Sequence, residues 1–176
     1  MLAQKYGLIG LSLLSSLVAA APIPNDDTIG YLVPRTNTAA KKEGNMAKKT
    51  SHELDKKLSP SRDKAVFWSG QVKGASVIGT ATEYAKKHDK ETLEMGLNKA
   101  HVKLPAWGQS KTAPELWDHA SKLWAERAKG ETIAFLGQVR PQSVYNTIEK
   151  PLLEKNTKVT KITEHNLLKK PPPEHR

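Results

Sequence analysis

The absence of cysteine, in a sequence that opens like an exported protein, is the feature that bears hardest on what this chain can fold into. Met1 to Ala20 place one early cation, Lys5, before an apolar run from Leu8 to Val18, and small residues follow at Ala19, Ala20 and Ala21. That is the pattern of a signal peptide over 1–20, with cleavage expected after Ala20. The run is shorter than the roughly 20 residues a membrane-spanning helix needs, and the chain closes on Lys-Lys-Pro-Pro-Pro-Glu-His-Arg, not on an apolar anchor signal. The expectation is a secreted, extracellular protein with no stable membrane insertion. Small exported domains commonly lean on disulfides. Without any, this one has to hold together through an ordinary core or stay partly disordered.

Large apolar residues are concentrated in residues 64–165, roughly the size of one small domain. Residues 21–63 are rich in Pro, Asn, Thr and Lys, with the pairs Lys41-Lys42, Lys48-Lys49 and Lys56-Lys57, and read as a flexible or pro-segment. Residues 166–176 read as a basic, Pro-rich tail. Inside the domain, Ala65 to Trp68 is a short apolar run stopped by Ser69-Gly70, which suits a buried strand. Ala75 to Lys87 has helical spacing on one face, and Glu91 to Ala100 suits a shorter helix. The strongest helix signal covers Ala113 to Lys129, with Thr112 and Glu115 as a capping box, Pro114 in the first turn and Gly130 as the stop. Glu131 to Leu136 and Lys158 to Thr163 read as strands, separated by a loop with a short element over Val139 to Glu149. Such alternation predicts an α+β domain, α/β-like, with a small central partly parallel sheet flanked by helices.

Net charge is +10, and removal of residues 1–20 takes Lys5 with it and no acid, leaving +9. Charge of this sign draws phosphorylated small molecules, anionic membranes and nucleic acid alike. The tryptophans lie on apolar faces and are not interleaved with Lys or Arg, which argues against a nucleic-acid stacking surface. The six histidines are scattered without metal-ligand spacing, and with no cysteine present no metal is expected. Dinucleotide-binding and P-loop glycine spacings are missing, and Trp-Ser-Gly-Gln-Val at Ser69 lacks the first Gly of a nucleophile elbow. Four tryptophans in so small a domain exceed what packing requires. Trp107 and Trp124 are expected in the core; for Trp68 and Trp117 composition leaves core and site both open.

Five segments occur in an order that carries more information than any one of them. They are Val66-Phe67-Trp68-Ser69; Thr92-Leu93-Glu94 with Trp107 beyond it; Leu116-Trp117 through Trp124-Ala125-Glu126-Arg127-Ala128; Ile133-Ala134-Phe135-Leu136; and Ser143-Val144-Tyr145-Asn146-Thr147-Ile148-Glu149. Together, over Ala65 to about Thr163, they resemble the ADP-ribosyl cyclase / NAD glycohydrolase family, in the compact, cysteine-free form of its toxin-like secreted members. The resemblance implies that Glu149 is the catalytic glutamate and Glu94 a second acid, and that Trp68 and Trp117 line the nicotinamide pocket. It further implies substrate contacts from Ser69, Ser121 and Ser143, with Tyr145 standing where the family has Phe. NAD is then a substrate, and no cofactor is expected.

The chemistry accounts for these residue types. Nicotinamide leaves a cationic ring as a neutral one, so no general acid is needed, and the barrier lies in the oxocarbenium charge developing on ribose. A nearby carboxylate stabilises that charge, and indole faces attract the pyridinium. Three departures from the pattern stand out. Gly70 replaces a basic residue, leaving Lys73, Arg127 and Arg140 as candidates to meet the pyrophosphate; Lys103 replaces an acid; and Val144 replaces a hydroxyl residue. They bear on cyclisation more than on glycosidic cleavage. The expected activity is NAD glycohydrolysis to nicotinamide and ADP-ribose, with cyclic ADP-ribose left open as a product. The other reading is a non-catalytic secreted effector whose basic tails engage an acidic partner.

Overall fold

Ala65-Val66-Phe67-Trp68 and Ile133-Ala134-Phe135 are unbroken apolar runs, as strands covered on both faces require. In the computed structural model, which describes residues 37–169, they lie in β1 (Ala65–Ser69) and β5 (Gly130–Leu136). The two strands run parallel, with Val66 opposite Ile133 and Trp68 opposite Phe135. β4 (Glu91–Thr92) extends the sheet beyond β1, and β6 (Val159–Asn166) extends it beyond β5. The order is β4-β1-β5-β6, and every neighbouring pair in it is parallel, more uniformly than the partly parallel sheet expected. A small antiparallel hairpin, β2 (Gln71–Val72) and β3 (Ala75–Ser76), follows β1. Lys73 and Gly74 form its tip at φ 51° and 81°, the left-handed pair that a tight hairpin demands.

Successive residues of a strand point to opposite faces, and the core divides accordingly. Val66, Ile133 and Phe135 meet Ala81 and Ala85 of α2 (Ile78–Lys87) on one face. Ala65, Phe67 and Ala134 meet α3 (Leu93–Lys99), α4 (Ala113–Glu126) and α5 (Lys150–Lys155) on the other. Trp124 of α4 is wholly buried in this second layer. It fits because Gly96 of α3 offers no side chain: a Cβ there would collide with its six-membered ring.

The structure differs from the sequence reading at several places. Most of the supposed flexible segment that lies within the described residues is α1 (Asn37–Lys57). Leu54 and Leu58 are fully buried in the main cluster, each worth about 1.5–3 kcal/mol of burial that a solvated linker lacks. The domain therefore begins before residue 64. Asp55 of α1 also meets His119 of α4 (Oδ1 to Nε2, 2.9 Å), and Arg127 donates to the Leu58 carbonyl at 2.7 Å. α4 stops at Glu126, short of Lys129, because the Asn156 amide nitrogen lies 3.0–3.1 Å from the carbonyls of Ala125, Glu126 and Ala128 and takes over that end. Gly130, at φ 75°, opens β5 instead of closing the helix. The Thr112–Glu115 capping box is not formed: Thr112 makes no side-chain cap, and its hydroxyl pairs with that of Ser110 at 2.7 Å. Beyond β6, the Leu167 N–H donates to Leu136 at 2.8 Å and its side chain packs on the α2 face, so the sheet face reaches into the supposed tail. Among the described residues no helix is long and apolar enough to cross a membrane. The signal peptide expected over residues 1–20, residues 21–36 and residues 170–176 lie outside the described residues.

Candidate active site

β1 hands the chain to β4 on one side and β5 hands it to β6 on the other. Between strands whose crossovers part in this way a crevice opens beyond their C-terminal ends, the usual ligand position in parallel sheets. A cavity of about 400 Å³ lies there, lined by Trp68 and Ser69 from β1, Glu94 from α3, Trp117, Ser121 and Trp124 from α4, and Tyr145 and Glu149 from the segment before α5. Seven of the eight residues the sequence pointed to share this one cavity. Ser143 is the exception: its hydroxyl accepts from the Asn146 N–H at 3.3 Å and its carbonyl from the Thr147 hydroxyl at 2.9 Å, and it stands outside the lining.

Local sequence explains each placement. Thr92, fully buried, accepts the Met95 N–H and starts α3, which sets Glu94 in the first turn, where a helix favours an acid. From there Glu94 receives the indole N–H of Trp68, at 3.1 and 3.3 Å to its two oxygens. Trp117 donates its own N–H to the Pro105 carbonyl at 2.9 Å. Both indoles are thus fixed by their polar edges, without drawing on Glu149. Glu149 closes a π-helical turn, Tyr145–Glu149, in which the Lys150 N–H reaches back to the Tyr145 carbonyl. Pro151 causes the widening. It has no N–H for the carbonyl four residues earlier, and its ring would press against that carbonyl.

Glu149 is 7 % exposed. Burial pushes its carboxyl up to about 8; the Ser121 hydroxyl beside it works in the opposite direction, and the charge of Glu94 adds to the rise. Ser69 and Ser121 are likewise buried in the lining. The Tyr145 ring lines the cavity while its hydroxyl turns away to Glu164 at 2.7 Å; burial and that carboxylate hold the phenol well above its ordinary range. Among the described residues, two carboxyls, four indoles and no Lys or Arg line the space. Such a site suits a planar cation and repels phosphate.

Two expectations change. Trp107 is 59 % exposed and stands in the cavity lining, not in the core, because Pro105 and Gly108 (φ 82°) carry it out on a loop. Of the three cations considered for the pyrophosphate, Arg127 is committed to the Leu58 carbonyl, and neither Lys73 nor Arg140 reaches the lining. Sequence reasoning also missed Ile78 and the Pro105 carbonyl, which carry no signal of their own in the sequence.

No protein-family model matches the sequence, and no curated protein matches it. Solved structures of ADP-ribosyl cyclases and of CD38 are similar to it at low identity. An Aplysia cyclase complexed with substrate NGD and product cGDPR is 22% identical, with a TM-score of 0.46 over 60% of this chain and 49% of that one. Porcine CD38 with a covalent intermediate, ribo-F-ribose-5'-phosphate, is 19% identical, with a TM-score of 0.47 over 74% of each chain. A further CD38 structure, described with a covalent enzyme–substrate complex, is 15% identical, with a TM-score of 0.48 over 78% of this chain and 83% of that one. The chain spans about half the length of the Aplysia cyclase it is similar to.

Proposed function

We propose that the protein is a secreted NAD glycohydrolase of the ADP-ribosyl cyclase kind, which releases nicotinamide from NAD at the cavity beyond β1. The observation that carries this reading is the burial of Glu149 in an indole-lined cavity that also holds a second carboxyl, Glu94, and, among the described residues, no cation. The five ordered sequence segments support it independently, and the export signal supports secretion. Trp68 and Trp117 flank the pyridinium, each held by its N–H contact. The phosphates lie outside the cavity, where the hairpin tip with Lys73 and the loop with Arg140 leave β1 and β5.

Before substrate enters, burial keeps the Glu149 proton on, with a pKa of about 8. A pyridinium cation entering the same dry space favours the ionised form, aided by the Ser121 hydroxyl. The carboxylate then faces the sugar as the bond to nicotinamide breaks. The electron pair leaves with the ring, and the charge arising on the anomeric carbon is stabilised by Glu149 until water attacks. Glu94, already tied to the Trp68 indole, is the acid placed to meet the carboxamide.

Nicotinamide release from NAD by the purified secreted form tests the proposal. Removing one preorganised electrostatic group commonly costs about 10²–10³ in turnover, so Glu149→Gln should fall by that factor. A wild-type protein no faster than Glu149→Gln contradicts it; saturable NAD binding without release would leave a binding protein in its place.

A further inference from the structure

The turn that delivers Glu149 is held from outside the cavity. In that turn the Lys150 N–H bonds to the carbonyl of Tyr145, five residues back. The side chains of the same two residues converge on one atom of β6: the Tyr145 hydroxyl donates to Glu164 Oε1 at 2.7 Å, and Lys150 Nζ lies 3.0 Å from that same oxygen. A single carboxylate therefore bridges the two ends of the π-helical turn. We propose that Glu164 is a positioning residue for Glu149, clamping the Tyr145–Lys150 turn in its five-residue register so that the buried carboxyl stays in the cavity.

Three features favour this over an incidental surface pair. An isolated pair such as Lys150–Glu164, with the two side chains 39 % and 34 % exposed, is worth little by itself. Here it is joined to a second donor that is nearly fully buried. β6 is an edge strand paired with β5 without a break from Lys161 to Asn166, so the clamp rests on the sheet and not on another loop. Return to α-helical register would remove the extra residue from the turn and rotate what precedes Lys150 by roughly 100°, carrying Glu149 away from Glu94 and the indoles. Pro151 favours the wide turn; Glu164 selects which side chains close it. Burial raises the Glu164 carboxyl, but the Tyr145 and Lys150 contacts outweigh it and hold the group below the usual range, in keeping with an ionised clamp.

The inference rests on the reading of Glu149 as the catalytic carboxylate, yet it has a test that needs no turnover. Amide hydrogen exchange is compared at Lys150 and at Trp124 in the full chain, for wild type, Glu164→Leu, Glu164→Gln and Tyr145→Phe. Losing hydrogen bonds to a charged acceptor should quicken exchange at Lys150 about tenfold in Glu164→Leu while Trp124 is unchanged. Glu164→Gln, which keeps an acceptor oxygen, should fall between wild type and Glu164→Leu, and Tyr145→Phe should show a smaller acceleration of the same amide. In turnover, Glu164→Leu should lose about tenfold in kcat with KM little changed, with partial rescue in Glu164→Gln. Equal acceleration at Lys150 and Trp124, no acceleration at either, or equal behaviour of the Leu and Gln variants would each overturn the clamp. Because exchange is read on the empty protein, a chain that never cleaves NAD would end the NAD reading and leave the exchange result to stand or fall alone.

Discussion

Replacing Glu149 by Gln should stabilise the protein, by an amount that grows with pH. In the folded chain the Glu149 carboxyl keeps its proton up to about pH 8, against an ordinary value of 4.5. Between those two values the folded state holds a proton that the unfolded chain has released, so stability falls as pH rises, by about 1.4 kcal/mol per pH unit for one group. The favourable contribution of the neutral acid is complete below pH 4.5 and gone above pH 8. Glutamine does not titrate. The advantage of Glu149→Gln over wild type should accordingly be near zero at pH 4.5 and on the order of 5 kcal/mol at pH 9. Urea unfolding followed by tryptophan fluorescence at pH 5, 7 and 9 measures it in the absence of any ligand. A difference that stays constant across that range would refute the argument that this carboxyl is buried without a compensating cation.

The same carboxyl sets the pH dependence of turnover: if the ionised form acts, kcat/KM for nicotinamide release should climb through about pH 8, and a flat profile from pH 5 to 9 would contradict it. Gly96→Ala should lose about 1–3 kcal/mol in thermal unfolding despite the better helix propensity of Ala, because the added methyl meets the Trp124 ring; an unchanged melting temperature would show that the ring yields freely. Asn156→Ala should cost about 1–3 kcal/mol by leaving the carbonyls at the end of α4 without their donor, and a loss below a few tenths in chemical denaturation would show that water replaces it.

What could be read in advance follows from what leaves a mark on a single chain. β1 and β5 were legible because both their faces are buried, and so was the body of α4, whose Leu116, Ala120, Leu123 and Trp124 recur at helical spacing. α1 was not. Its buried stripe amounts to Leu54, with Leu58 just beyond the helix end, set among lysine pairs that resemble linker composition. The four-residue spacing of those two leucines, with Ala47 one heptad before Leu54, was the available signal. The end of α4 depended on Asn156, some thirty residues away in sequence. Trp107 misled because Leu-Pro-Ala-Trp-Gly is apolar in composition, while Pro105 and Gly108 make it a projecting loop. For the site, residue types and order led to the members that line the cavity, whereas Ser143 shows the limit of transfer by order alone, since its hydroxyl serves the backbone of its own turn. The π-helical turn was legible in part through Pro151. Glu164 was not, because nothing local to Thr163-Glu164-His165 points across the sheet edge to Tyr145 and Lys150.

Mass analysis of the products formed from NAD bears most directly on the central claim, that Glu149 and the indoles around it form a glycosidic cleavage site. Nicotinamide and an ADP-ribose product should appear in equal amounts with the wild-type protein and fall to the background rate with Glu149→Gln at the same protein concentration. NAD recovered intact from wild type under conditions that saturate binding, or equal product from the two proteins, would contradict the account.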